Sequence, residues 1–150
     1  MINLAAQPAF VAYAVSLLVL SLNLLVLWAY SGAVRAKTGT TPNREDVGTV
    51  AKSAQLVETD PPEVARVLRA HKNALANSVP FAILGLVFVL AGASGTAAWA
   101  IFGVFTVARI VHSVAYLREK QPWRTLSFVL GGATTLVLMG FIVRALVAAA

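Results

Sequence analysis

The first group of residues able to do chemistry is a polar stripe inside an apolar segment. Its members are three or four residues apart, so they share one helical face: Arg66, Arg69, Asn73 and Asn77. His71 lies off this stripe. Snorkelling at a membrane interface is the simpler explanation for the basic residues. It does not account for the asparagine amides, which need hydrogen-bond partners in an apolar region, so we treat Arg69, His71, Asn73 and Asn77 as candidate ligand-binding residues.

The second group is built around an arginine in another apolar segment. Arg109, His112 and Tyr116 again share one helical stripe. An arginine at membrane depth costs roughly 3 kcal/mol or more, so it needs an anionic or carbonyl-rich partner. No aspartate or glutamate lies in any apolar segment, and we therefore expect an anionic ligand or a loop carboxylate beside Arg109. For His112, a helix–helix contact is the simpler alternative to a ligand contact.

A third motif opens the last apolar segment. Arg124 and Thr125 fall in its first turns, where free N–H groups and the helix dipole favour an anion. An arginine there can lower the pKa of a bound thiol or stabilise an oxyanion. The alternative is that Arg124 only sets membrane topology. The chain has no cysteine, so a thiol must come from a ligand, and we predict no metal site.

The elements that position these residues follow from composition. The chain has 150 residues, of which 59% are hydrophobic and 12% charged, too apolar for an ordinary soluble domain. Residues 1–34, 73–108 and 125–143 carry no charged side chain, and the middle stretch is interrupted at residues 92–95. A bilayer-spanning helix needs about 20 mostly apolar residues. The sequence therefore predicts an all-α integral membrane four-helix bundle, with helices at about 8–34, 62–91, 96–118 and 122–147.

These helices are predicted to form one domain, residues 1–150, with up-down-up-down topology. The first helix lacks a basic n-region and is too long for a signal peptide, so we expect it to be retained. Ser16, Asn23 and Tyr30 share one face, and we expect them to join helices rather than bind a ligand. Asp60 is predicted to cap the second helix, and Pro80 to kink it.

The net charge of +6 is explained by topology rather than by nucleic-acid binding. Basic residues, Lys52 among them, lie mostly in the segment 35–72 and at 118–124. By the positive-inside rule, the Lys37–Asp60 and Arg118–Arg124 loops are cytoplasmic and both termini lie on the opposite side. The abundance of alanine and the scarcity of lysine favour a multi-pass protein of a bacterial cytoplasmic membrane.

Five short motifs, taken in order, resemble the MAPEG family (membrane-associated proteins in eicosanoid and glutathione metabolism). They are residues 32–35, 42–46, 69–73, 109–117 and 121–128. The resemblance extends from about Gly32 to Phe141 and is closest to the glutathione transferase and prostaglandin E synthase branches. It implies a homotrimer in a lipid bilayer that binds glutathione between adjacent subunits.

The resemblance also implies roles for individual residues. Arg35 would come from one subunit; Arg124 of its neighbour would hold and activate the glutathione thiolate, with Thr125 beside it. Asp46 would assist catalysis through contact with that arginine, and Arg109 would support the pocket. The remaining contacts on the neighbour would be Arg69, Asn73, His112, Tyr116 and Phe128. Ala76, followed by Asn77, stands where the family has a glutamate that orients glutathione.

The activity implied is a glutathione-dependent transferase or peroxidase that acts on hydrophobic electrophiles or lipid hydroperoxides. One alternative is a prostaglandin E synthase-like isomerase of lipid endoperoxides, which Asp46 favours. Another is a non-catalytic lipid-binding scaffold, which the loss of the glutamate favours and the presence of Arg124 disfavours. A channel or proton carrier needs acidic residues in the membrane, and the sequence has none there.

Overall fold

The computed structural model describes residues 4–49 and 53–150, and in these residues four long helices form an up-down-up-down bundle. They are α1 (Pro8–Thr38), α2 (Pro62–Leu90), α3 (Gly95–Leu117) and α4 (Trp123–Ala149). Each is long and apolar enough to cross a bilayer. The predicted all-α membrane bundle is therefore confirmed. Lys52, one of the basic residues used to predict the topology, lies outside the described residues.

The helix ends differ slightly from the prediction. α1 runs four residues further, because it stops only at Gly39, whose φ of 62° is the left-handed conformation that closes a helix. The Gly39 N–H points back to the carbonyls of Ala36 and Arg35. Arg35 thus lies within a regular helix. The other ends lie within two residues of their predicted positions.

The connection between α1 and α2 contains short regular elements. Two strands of two residues each, β1 (Thr40–Thr41) and β2 (Gln55–Leu56), pair in parallel, and a 3-10 turn covers Arg44–Asp46. The predicted cap of α2 is wrong: Pro61 occupies the N-cap position, and no side chain caps the helix. The Asp60 carboxylate instead accepts hydrogen bonds from Arg35 Nε and Nη2 at 3.0–3.2 Å. Both nitrogens belong to the Arg35 guanidinium, so the Asp60 carboxylate is held by charge-assisted hydrogen bonds.

The helices are arranged so that α2 and α3 lie between α1 and α4. α1 packs against α2 and α3, and α4 packs against the other side of the same two helices. An aromatic core joins them, with the Phe81 and Phe105 rings stacked at a centroid distance of 3.5 Å. The outer surfaces of α1 and α4 therefore lie on opposite sides of the bundle.

Polar side chains within the apolar region tie α1 to α3. The Ser16 and Thr106 hydroxyls are 2.6 Å apart, and Asn23 Nδ2 donates to Ser113 Oγ at 3.1 Å. The predicted helix-joining role is confirmed for Ser16 and Asn23, whereas Tyr30 is exposed. Pro80 lies inside α2, which continues to Leu90.

Gly85 gives a stability test of this core. A β-carbon there would lie 2.8 Å from Phe102 Cε1 and 3.1 Å from Tyr13 Cε2. Phe102 is only 1% exposed, so its ring has little room to move. We expect Gly85→Ala to destabilise the protein by about 1–3 kcal/mol through overpacking, seen as a lower Tm in detergent. Gly103→Ala is the control, since its β-carbon would meet nothing within 4 Å. Equal Tm values for the two variants would contradict this packing.

Candidate functional site

A cavity of about 250 Å³ opens between α2, α3 and α4, at the end of the bundle that carries the two basic loops. Because α2 and α3 are antiparallel, the first turns of α2 lie beside the end of α3 and the start of α4. The polar stripes of the sequence converge here. The six lining residues are all among the predicted ligand contacts: Asn73, His112, Tyr116, Arg124, Thr125 and Phe128.

His112 lines this cavity and has one ring nitrogen without a hydrogen-bond partner in the described residues. Its Nδ1 lies 2.9 Å from the Arg124 carbonyl oxygen. A carbonyl only accepts, so Nδ1 carries the hydrogen, and Nε2 of the neutral ring is then an acceptor. Nε2 is buried and has no hydrogen-bond partner among residues 4–49 and 53–150. His112 is therefore a helix–helix contact, as the simpler alternative predicted, and it also lines the cavity with a ring nitrogen that lacks a partner in the described part of the chain.

Asn73 presents a second acceptor of the same kind. Its Oδ1 is buried, and nothing in the described part of the chain donates to it. A buried acceptor without a partner is costly, so a donor on a ligand would be stabilised here. Asn77 differs, because its Nδ2 donates to the Asn73 carbonyl oxygen at 2.8 Å. The amide nitrogen of Asn77 is thus bonded within its own helix, and Asn77 is not one of the cavity-lining residues.

Arg124 supplies positive charge to the cavity. Its guanidinium carbon lies 5.1 Å from the centroid of the Tyr116 ring. The ion pairs found in the described residues involve other arginines, Arg35 and Arg66, and not Arg124. Thr125 beside it donates from Oγ1 to Gln121 Oε1 at 3.0 Å. The cavity thus combines one cation with two acceptors.

Arg109 lies behind this cavity rather than in its lining. It is 1% exposed, and its Nη2 donates to the Ser127 carbonyl oxygen at 2.8 Å. Its guanidinium carbon lies 5.7 Å and 5.9 Å from the Phe105 and Phe128 ring centroids. The expected loop carboxylate is therefore wrong for the described residues. A backbone carbonyl and two aromatic faces surround the charge instead.

Arg35 and Asp46 line a different cavity, of about 720 Å³, beside α1. Asp46 Oδ2 accepts hydrogen bonds from Thr41 Oγ1 and Asn43 Nδ2, each at 3.1 Å. These two predicted residues lie together, but across the α2–α3 layer from Arg124. The contact predicted between Asp46 and Arg124 is not made within one protomer.

The other predicted contacts lie outside both cavities. Arg69 is exposed and His71 half-buried, and neither lines either of these two cavities. Ser127 was not among the predicted site residues; its carbonyl accepts from Arg109 and its hydroxyl donates to the Trp123 carbonyl at 2.6 Å. Ser127 follows Arg124 by three residues and so lies on the same face of α4, and this spacing could have identified it from the sequence.

Comparison with known proteins identifies relatives over most of the chain. The MAPEG family model matches residues 11–144. Prostaglandin E synthase from Homo sapiens is 33% identical over 126 residues, covering 83% of this chain and 82% of that protein. Microsomal glutathione S-transferase 1 from Rattus norvegicus is 36% identical over 132 residues, covering 85% and 83%. The Mus musculus protein of the same name is 42% identical over 98 residues, 63% of each chain.

Proposed function

Because the chain belongs to the MAPEG family, we propose that it is a glutathione-dependent enzyme of the membrane. The chain is a multi-pass integral membrane protein, and its named relatives are glutathione transferases and prostaglandin E synthases. The proposed reaction is transfer of glutathione to hydrophobic electrophiles, or reduction of lipid hydroperoxides by glutathione. The hydrophobic substrate reaches the site from the bilayer.

The observation that supports this proposal is the combination of groups in the α2–α3–α4 cavity. Arg124 favours a ligand that carries negative charge, and the unpartnered acceptors Asn73 Oδ1 and His112 Nε2 on two lining residues favour a ligand that carries N–H donors. Glutathione has carboxylates, peptide N–H groups, an ammonium group and a thiol, so it meets both requirements. A fatty acid or an inorganic phosphate offers mainly acceptors and leaves the two buried acceptors without donors.

The residues of the cavity have separate tasks in this proposal. Bound glutathione supplies a sulfur nucleophile. Arg124 stabilises the thiolate form, because a cation close to a thiol lowers the pKa of that thiol. His112 holds the backbone of Arg124 through the 2.9 Å contact to its carbonyl. Asn73 and His112 accept from the peptide and orient it, and the Thr125 hydroxyl lies beside the arginine.

We further propose that the site is completed by a second subunit of a homotrimer. Arg35 and Asp46 lie on the α1 side of the α2–α3 layer, and Arg124 lies on the α4 side. In this proposal they meet at one ligand because they come from two protomers. In a closed ring of three protomers, each protomer joins its α1 side to the α4 side of the next. Arg35 and Asp46 of one protomer then lie beside Arg124 of its neighbour at each of the three interfaces. The exposed Trp28 on α1 and Phe128 on α4 support a contact between these sides.

An isomerase of lipid endoperoxides is the second candidate. It is favoured by Asp46, whose carboxylate faces the cavity that also holds Arg35 and would meet Arg124 in the trimer. Human prostaglandin E synthase is among the relatives, which supports this candidate. The two candidate functions share the glutathione site. They differ in the lipid substrate that the cavity beside α1 accepts. A non-catalytic scaffold would need no thiolate at all.

The proposed orientation places the basic loops in the cytoplasm of a bacterial cell. Arg35, Arg66, Arg118 and Arg124 lie at this end of the bundle, whereas Arg144 is the charged residue near the other end. This asymmetry favours the basic end as the cytoplasmic one. Glutathione, a cytosolic thiol, would then reach the cavity directly.

A titration tests the proposed function. Purified protein in detergent is titrated with glutathione at neutral pH, and thiolate formation is followed by its ultraviolet absorbance. The free thiol, with a pKa of about 8.5, is mostly protonated under these conditions. We expect a saturable thiolate signal that S-methylglutathione, which has no ionisable thiol, does not give. Glutathione binding without any thiolate signal would support the scaffold alternative instead.

Removing one acceptor tests how the cavity orients the peptide. We expect Asn73→Leu to raise the Kd for glutathione roughly tenfold, because a buried hydrogen bond to the ligand is lost. Isothermal titration calorimetry measures the change. Asn77→Leu is the matched control, since its amide nitrogen is bonded to the backbone of its own helix and should affect the Kd much less. A larger rise in Kd for Asn77→Leu than for Asn73→Leu would mean that Asn77 has taken over the ligand contact near Ala76.

A further inference from the structure

Gly131 lies in the interior of α4, at a position where the surrounding side chains leave no room for a β-carbon. Glycine weakens a helix relative to alanine, so it needs a compensating reason there. A β-carbon at Gly131 would lie 2.6 Å from Arg109 Nη2 and 2.9 Å from Cζ and Nε. The adjacent Gly132 has nothing within 4 Å of its β-carbon position. The guanidinium of Arg109 thus lies flat against the α4 backbone at Gly131 and at no other glycine.

The Arg109 guanidinium has little freedom to move away from α4. It is 1% exposed, with the Phe105 and Phe128 rings beside it. Its one hydrogen bond goes to the Ser127 carbonyl, while Nε and Nη1 are buried without partners in the described residues. Moving it would lose that bond and leave the charge unpaired in an apolar region. An added methyl at Gly131 would therefore displace α4 rather than Arg109.

Displacement of α4 at this point would be transmitted to Arg124. Arg109 holds the Ser127 carbonyl, and His112, one turn along α3, holds the Arg124 carbonyl. These two contacts form consecutive links between α3 and α4. They fix the height and rotation of the first turns of α4, where the Arg124 side chain extends over Tyr116.

We propose that Gly131 is a positioning residue: its missing β-carbon lets Arg109 hold α4 at the register that places Arg124 in the cavity. The inference rests on the proposed function, in which Arg124 stabilises the thiolate. Gly131 itself touches no ligand. Its substitution should act on the activation of the thiol more than on the affinity for glutathione, because misplacement of an activating group by about 1 Å can cost up to 100-fold in rate.

The test compares Gly131→Ala with Gly132→Ala. We expect Gly131→Ala to lower kcat about 10- to 100-fold, with a much smaller change in KM for glutathione, and to shift thiolate formation to higher pH. Gly132→Ala should behave like the unsubstituted protein. A packing defect far from Arg124 would lower stability but would not move the pH profile of the thiolate signal. If thiolate formation and kcat of Gly131→Ala match those of Gly132→Ala, the positioning role of Gly131 is wrong.

A double-substitution cycle in the absence of glutathione gives an independent readout. Arg109→Met removes the guanidinium, so Gly131→Ala should lower the Tm less in that background than alone. If Gly131→Ala by itself does not fold, R109M/G131A should restore folding, and failure to do so would contradict the inference. A wild-type protein without any thiolate signal would refute the proposed function, while the coupling between positions 109 and 131 would still be measured.

Discussion

Replacing Arg124 with alanine will lower the conjugation of glutathione to a model hydrophobic electrophile by about 100-fold or more. The reason is that, in the proposed function, Arg124 stabilises the thiolate of bound glutathione, and loss of one group that stabilises developing or formal negative charge typically costs this much. The thiolate absorbance at neutral pH should disappear as well. Steady-state kinetics and the ultraviolet titration measure the two effects.

Arg144→Ala is the matched control for this substitution. Arg144 lies near the opposite end of the bundle, and its guanidinium stacks on Phe141 at 5.7 Å, much as that of Arg124 stacks on Tyr116 at 5.1 Å. The control therefore removes an equal charge and a similar cation–π contact from α4. Full turnover in Arg124→Ala, with an intact oligomer, would remove Arg124 from the mechanism.

Two inactive variants will restore each other when they assemble together. We expect Arg35→Ala and Arg124→Ala to be inactive as pure proteins. In a ring of three subunits that contains both variants, about one site in three receives an intact Arg35 from one chain and an intact Arg124 from its neighbour. Co-expression with two different affinity tags, followed by tandem purification, should yield roughly a third of the wild-type activity.

The control for this experiment pairs Arg124→Ala with R35A/R124A. Neither chain then carries Arg124, so no arrangement of subunits can rebuild a site. Absence of recovery in the first mixture, once mixed oligomers have been demonstrated, would mean that Arg35 and Arg124 serve the same ligand from one protomer. An active Arg35→Ala protein would mean that Arg35 has no part. The proposal that two protomers form one site would then be wrong.

The helices and the convergence of the polar stripes could be predicted from the sequence. A bilayer requires apolar runs of a certain length, so the charge-free stretches determine the number and approximate limits of the helices. The helical period then places Asn73 on one face of α2 and His112 with Tyr116 on one face of α3. Short connections make neighbouring helices antiparallel, and these faces meet the start of α4 at Arg124.

The partners of individual side chains were decided only by the tertiary structure. Asp60 was predicted to be a cap and pairs with Arg35. Arg109 was expected to meet an anionic ligand or a loop carboxylate, and it donates to the Ser127 carbonyl. Nothing in the sequence singles out Gly131, because the space that a β-carbon would need there is taken by the Arg109 guanidinium of another helix. Periodicity fixes which face a residue occupies. The distance and rotation between two helices, which depend on every packed side chain at once, decide which atoms on those faces touch.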